Sequence, residues 1–346
     1  MTAISSAGKF AHLHVASSYS LRYGVASPAA LVDRAAELGM PALALTDRDG
    51  LYGAIKHAVA CKGKGVNLIL GADMALREDD RGPGWRSATW VLSPAGSARL
   101  PDPGELERLL GSAAPGRLLG SGGLERLLSP QGPARLHNEG AARVTLLVTG
   151  RRGWASLSRL VSAAHQAGER GAPAVTPDMV AAHGEGLIVL LGPGSDVGRA
   201  IAARRPDLAA AALARWRERA EVVIEIVDHQ TAGATFRAAR MLQLARDAGV
   251  SAVLTNAVRY LDPEDGPVAQ VLDAARQLVP LGQRPAHFAG GRAHLASGTE
   301  MAEIADRICH ISQGAGEAGE LLATTARLAQ RCSLDPERDL GIGGRF

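Results

Sequence analysis

Two histidines one residue apart are the first groups in this chain with chemistry to offer. In Phe10-Ala11-His12-Leu13-His14-Val15 the period of two sends His12 and His14 to the same face of a short strand, near its carboxyl end. Imidazole suits borderline metals, so such a pair can share one Zn or Mn ion. The same pair also reads as two histidines satisfied by hydrogen bonds at a strand end, and spacing alone leaves both readings open. Two carboxylate clusters follow: Leu45-Thr46-Asp47-Arg48-Asp49-Gly50 puts Asp47 at the end of a second strand, and Leu70-Gly71-Ala72-Asp73 puts Asp73 at the end of a third. Loop carboxylates often cap helices, and Asp49 before Gly50 reads as a cap. Histidines and aspartates at three successive strand ends read as a cluster at one mouth of a sheet.

Those residues need a scaffold that gathers strand ends. Ser27-Pro28 opens an amphipathic helix to about Leu38, with Ser27 as N-cap and Gly39 as terminator. A strand over Ala42–Thr46, a helix from about Leu51 to Lys62 and a strand over Asn67–Leu70 follow. The alternation resumes with strands at Val144–Val148, Leu187–Leu191, Val222–Ile226 and Ala252–Thr255. Helices are expected at Trp154–Ala167, Val197–Ala203, Leu208–Arg219, Thr235–Ala248 and Pro267–Gln277. Strands interleaved with helices indicate an α/β chain with a parallel sheet, either a closed barrel or an open doubly wound sheet.

Residues 94–141 break this rhythm with Gly, Pro, Ser and Arg, and read as a variable, partly disordered insertion. Just before it, Ala88–Leu92 reads as hairpin-like; inside it, Glu105–Leu110 and Gly123–Leu128 are too short to stand alone as helices. After residue 280 the texture changes again, to a Gly/Pro/His-rich stretch and a helical tail that reads as a connector.

The 346 residues are 46% hydrophobic and 21% charged, enough for a substantial core. Aromatics are only 3%, so that core must be aliphatic. A net charge of +3 does not by itself indicate nucleic acid, which basic stripes recognise better than a diffuse excess. Cys61, Cys309 and Cys332 are scattered, against both a disulfide framework and a zinc ribbon. No run of about 18 apolar residues occurs, and the first residues lack the apolar core of a leader, so the expectation is a cytoplasmic protein without a membrane partner. Gly192-Pro193-Gly194-Ser195 opens a helix but fits a dinucleotide loop poorly; capping by Ser195 suffices.

His12-Leu13-His14-Val15-Ala16-Ser17-Ser18-Tyr19-Ser20 with Tyr23-Gly24 resembles the first motif of the PHP (polymerase and histidinol phosphatase) domain found at the N-terminus of bacterial C-family DNA polymerases. Ala42 to Asp47 with Gly50-Leu51-Tyr52-Gly53 resembles the second. Further similarity runs through Arg151–His165, Gly186–Gly192, Val253–Asn256, Tyr260–Pro263, His294-Leu295 and Thr325–Asp339. The closer likeness is to the error-prone, translesion-type alpha subunits, of actinobacterial kind. The resemblance implies a distorted (β/α)7 PHP barrel over residues 8–280, interrupted by the insertion, and a C-terminal helical connector over 281–346 leading toward a polymerase core.

In intact members of that family the resemblance implies two or three ions of Zn, Mn or Fe that activate water for phosphoester hydrolysis. This sequence departs from the family's ligand set. Ala16, Arg48, Arg143, Pro193, Ala257 and Arg259 stand where the family carries ligands, leaving His12, His14, Asp47 and Asp73. A guanidinium offers no lone pair and a permanent positive charge. Arg48, Arg143 and Arg259 are therefore expected to line the vestigial pocket and pair with Asp47 and Asp73 in place of the metals; the alternative is that they simply point to solvent.

The expected function is that of a PHP domain with a degenerate metal site, giving structural support to DNA synthesis and translesion repair. No cofactor is expected, or at most one weakly held Zn or Mn ion. The expected partners are a polymerase core in the same or a separate chain, DNA through that core, and translesion accessory proteins. The alternative is an active metal-dependent phosphoesterase or 3'-5' proofreading exonuclease using His12, His14, Asp47 and Asp73 on a single ion. A polymerase palm lies nowhere in these 346 residues, so the chain by itself is not expected to polymerise DNA.

Overall fold

Apolar runs with no polar alternation dictate strands buried on both faces, and such strands form the wall of the structure. The computed structural model describes residues 10–77, 140–168, 171–281, 292–312 and 317–342. These belong to one unit, Met1–Asp79 with Gly140–Phe346. The hairpin-like 88–92, both Leu-rich stretches, nearly all of the expected insertion and most of the Gly/Pro/His-rich stretch lie outside the described residues.

The described elements are α1 (Pro28–Glu37), β1 (Ala42–Leu45), α2 (Ala54–Lys64), β2 (Asn67–Leu76), β3 (Ala142–Val148), α3 (Gly150–Ala167), β4 (Ala174–Val175), α4 (Pro177–Ala182) and β5 (Leu187–Leu191). They continue with α5 (Asp196–Ala202), α6 (Pro206–Arg217), β6 (Glu221–Ile226), α7 (Ala234–Ala248), β7 (Ala252–Leu254), α8 (Gly266–Gln277), α9 (Gly298–Ile311), α10 (Ala318–Arg331) and β8 (Ser333–Leu334). Ser27 caps α1 as expected, accepting from the Ala30 amide at 3.2 Å with Pro28 in the first turn. Ser195 likewise caps α5 through the Gly198 amide at 3.1 Å.

The sheet runs β1-β2-β3-β5-β6-β7, with β4 and β8 as short additions along β2. The segment expected as a strand from Phe10 is extended chain with single bridges instead, and it closes the ring. It pairs with β1 through His12 and Leu43, and with the chain after β7 through Val15 and Val258. The result is a seven-membered, distorted α/β barrel.

The distortion has a specific source. β1–β2, β5–β6 and β6–β7 pair in parallel, but β3 is antiparallel to both β2 and β5. The expectation of a purely parallel sheet fails at this strand, because about sixty-five residues of chain separate β2 from β3 and a connection of that length leaves either sense open. β2 also runs six residues past the expected end at Leu70, carrying Asp73 in mid-strand.

Alternation then sorts the interior. Ile69, Leu147, Ile188, Leu190, Val223 and Val253 form one apolar cluster with Ala11, Leu13, Ala42 and Ala44. Further toward the mouth on the same face come Thr145, Glu225 and Thr255, each two residues from the apolar cluster, and Asp73, four residues beyond Ile69. Because β3 runs the other way, its first residues reach this mouth, which brings Arg143 there.

The tail after residue 280 packs on the barrel. Met301, Ile304, Ile308 and Leu321 join the main core, while Leu328, Ala329 and Cys332 of α10 and its C-cap join the inner cluster. The Thr325 hydroxyl accepts the Leu254 amide at 2.9 Å, tying α10 to the edge of β7.

Candidate functional site: an arginine-filled barrel mouth

Asp73 is the centre of the mouth. Its carboxylate Oδ2 lies 2.9 Å from Arg143 Nε and 3.2 Å from Arg48 Nε. Arg143 also donates to Asp49 Oδ1 at 2.9 Å and to the Asp73 carbonyl at 2.6 Å. Burial disfavours the charged form of Asp73, but Arg143 and then Arg48 outweigh it and hold the carboxyl below its ordinary range. The Arg48 contact is ionic only; its Nε is buried without an in-line hydrogen bond.

Arg259 takes a different aspartate. It grips Asp273 of α8 bidentately at 2.9 and 2.8 Å, and donates to the Tyr23 carbonyl at 3.1 Å. Arg48 and Arg259 both stack on the Tyr23 ring, their guanidinium carbons 3.4 and 4.0 Å from its centroid. Arg48 and Arg259 thus face inward on one tyrosine, and Arg143 faces inward onto Asp73 and Asp49.

Asp47 corrects part of the expectation, for none of these arginines forms an ion pair with it. It accepts from the Ser17 amide at 2.8 Å, the Ser17 hydroxyl at 2.9 Å and the Ser20 hydroxyl at 2.8 Å. Burial pushes its carboxyl up, opposed by these hydrogen bonds. Gly53 is required beside it, since a Cβ there would stand 2.6 Å from Asp47 Oδ2. Asp49 is not the helix cap expected of it. It sits at φ 56, receives the Ala75 amide at 3.1 Å and pairs with Arg143, while α2 begins at Gly53 without a side-chain cap.

The two histidines differ in state. His12 donates Nε2 to the Ala296 carbonyl at 2.9 Å, and burial lowers its pKa to about 4, so it is neutral. Its Nδ1 is buried without a partner. His14 places Nδ1 2.8 Å from Glu225 Oε1. Burial would lower the His14 pKa, yet the Glu225 carboxylate prevails and holds it at about 9. Thr255 donates to the same Glu225 oxygen at 2.6 Å.

Glu225 and Asp273 escape a reading based on strand ends. Glu225 is an acid at an inward position of Val222-Val223-Ile224-Glu225-Ile226, and Asp273 lies one helical turn from buried Ala269. An acid on an otherwise apolar face was the available signal in both cases.

The donor set does not fit the metals that the fold suggests. The Nε2 of His12 and the Nδ1 of His14 are occupied, two guanidiniums flank Asp73, and serines surround Asp47. A catalytic zinc site needs three converging protein ligands. Among the described residues no three His, Cys, Asp or Glu side chains are grouped to hold an ion.

Residues 12–229 match the PHP domain model. The chain belongs to the PHP domain family. It is 31% identical over 327 residues to an error-prone DNA polymerase of Mycobacterium tuberculosis H37Rv, covering 92% of this chain and 25% of that protein. It is 27% identical over 332 residues to the DNA polymerase III subunit alpha of Escherichia coli K12, covering 94% of this chain and 23% of that protein. The PHP chain therefore spans about a quarter of the length of these polymerases. Among solved structures, an amidohydrolase from Chromobacterium violaceum superposes with a TM-score of 0.39 at 18% identity, over 72% of this chain and 87% of that one. No helix among the described residues is long and apolar enough to cross a membrane.

Proposed function

We propose that this PHP domain is a structural module of an error-prone, translesion-type DNA polymerase assembly, in which arginines have taken the place of the metal cluster. The observation that carries the reading is the Arg143–Asp73–Arg48 cluster. It supplies positive charge to a buried carboxylate where an ion would otherwise be needed. Residues 8–280 form the domain and 281–346 lead toward a polymerase core, in the same chain or another, through which DNA and translesion accessory proteins are met in the cytoplasm.

A metal-dependent phosphoesterase or proofreading exonuclease would need His12, His14, Asp47 and Asp73 to converge on one ion of Zn or Mn. His12 and His14 have each committed a ring nitrogen elsewhere. The test is hydrolysis of a chromogenic phosphomonoester and of a 3'-recessed DNA duplex with added Mn or Zn. The reading expects no turnover above that of a His14→Ala variant. Metal-stimulated turnover lost in that variant would overturn it.

A further inference from the structure

A cavity of about 150 Å³ lies between α5 and α7, beside the chain that leaves β6. Its lining is mostly apolar: Ala234, Ala238 and Met241 of α7, Ala202 of α5, and Pro193 and Val227 from the loops after β5 and β6. The three α7 residues are buried, whereas Pro193, Ala202 and Arg237 are exposed, so the cavity has a buried apolar end and a rim in solvent. Arg237 is the one charged residue that lines it, and among the described residues it forms no ion pair. Its hydrogen bond to them is a long one, 3.4 Å from Nη1 to the Ala232 carbonyl. Gly233, at φ 72, leaves that guanidinium room, since a Cβ there would stand 3.2 Å from Nη1. His229 adds no charge: its Nε2 donates to the Asn256 carbonyl at 2.7 Å, and burial holds its pKa below the ordinary value. An apolar interior thus meets a single positive charge at its edge.

We propose that this cavity binds a compact apolar carboxylate, its hydrocarbon body against Met241, Ala238 and Val227 and its carboxylate on Arg237. A void of about this volume with apolar walls accepts one benzene-sized ring. The guanidinium fork matches a carboxylate bidentately. A dianion would find no second cation there, and an uncharged hydrocarbon would leave the fork unused. The ligand is therefore a branched aliphatic or aromatic acid, supplied either free or as the C-terminal residue of a peptide. The cavity shares no side chain with the Arg143–Asp73–Arg48 cluster, so the inference is independent of the metal-free reading.

The test is titration of the full chain with benzoate at constant ionic strength, followed through the NMR resonance of the labelled Met241 methyl group, with benzamide as the uncharged match. Benzoate should shift that resonance to saturation, and benzamide should bind at least about tenfold more weakly, the loss expected for one charge-assisted contact. This comparison uses the unaltered protein and stands whether or not the variants fold. Arg237→Ala, at an exposed helical position, should weaken benzoate by a similar factor and leave benzamide unchanged. Ala202→Leu, which fills the rim from α5, should weaken both. A second arm compares N-acetyl-leucine with isocaproate: tighter binding of N-acetyl-leucine assigns the cavity to a peptide C-terminus, and equal or weaker binding assigns it to a free acid. No saturable shift, equal affinity for benzoate and benzamide, or unchanged benzoate affinity in a folded Arg237→Ala variant overturns the inference.

Discussion

Arg143 Nε and Asp73 Oδ2 meet at 2.9 Å across an antiparallel strand pair, with Arg143 opposite Ala75 and Asp73 opposite Thr145. The pair is diagonal, and only the reversed sense of β3 brings a residue from the start of that strand to the mouth. Both side chains are nearly buried, at 12% and 5% exposure, so neither charge is stable there without the other.

Arg143→Ala should therefore destabilise the domain by roughly 3–5 kcal/mol in urea unfolding, because it leaves Asp73 and Asp49 short of their main counter-charge. Adding Asp73→Asn to that variant should recover part of the loss. Equal stability of Arg143→Ala and the unaltered protein would show that the pair is not a structural substitute for anything.

The histidines give a pH signature with opposite signs. His14 has a folded pKa of about 9 against an ordinary 6.5, so its stabilisation is complete below about 6.5 and is lost as pH rises through 9. His12 and His57 have folded values of about 4. Their contribution is present above about 6.5 and is lost as pH falls through 4. Imidazole resonances followed by NMR should show His14 still protonated at neutral pH, with His12 and His57 neutral. A His14 midpoint at or below 6.5 would contradict the Glu225 pairing.

Gly192 lies against Glu225, and a Cβ at that position would come within 2.0 Å of Glu225 Oε2. Glu225 cannot simply swing away, since His14 and Thr255 both hold its other oxygen. Gly192→Ala should cost roughly 1–3 kcal/mol and bring the His14 pKa down toward its ordinary value. Chemical denaturation and the same NMR titration check both effects together.

Ala257 adopts φ +40, a left-handed conformation that costs an L-residue roughly 1–2 kcal/mol and glycine almost nothing. Ala257→Gly should raise the thermal midpoint measured by calorimetry. An unchanged or lower midpoint would mean that the conformation carries no strain.

Much of this architecture is legible in the chain because its signals are local. Leu187–Leu191 is the expected strand to the residue, and most helices start and stop within three residues of the expected caps. What local pattern does not encode is the sense of β3, since alternation in Val144–Val148 is the same whichever way the strand runs. The choice of partner is equally non-local. The motif positions identify Arg48, Arg143 and Arg259 as departures from a ligand set. Whether each meets Asp47, Asp73 or Asp273 depends on which helix and strand pack across the mouth. Asp47 goes to serines because Ser17 and Ser20 lie in the turn directly over it, whereas Arg259 finds Asp273 on α8.

The central claim, that guanidiniums stand where metals would, is tested most directly by mass-spectrometric metal analysis of protein purified without chelators or a histidine tag, beside a His12→Ala variant. The account predicts far less than one equivalent of Zn, Mn or Fe in both proteins. Close to one equivalent in the unaltered protein, lost in the variant, would contradict it and make the retained histidines and aspartates a working metal site.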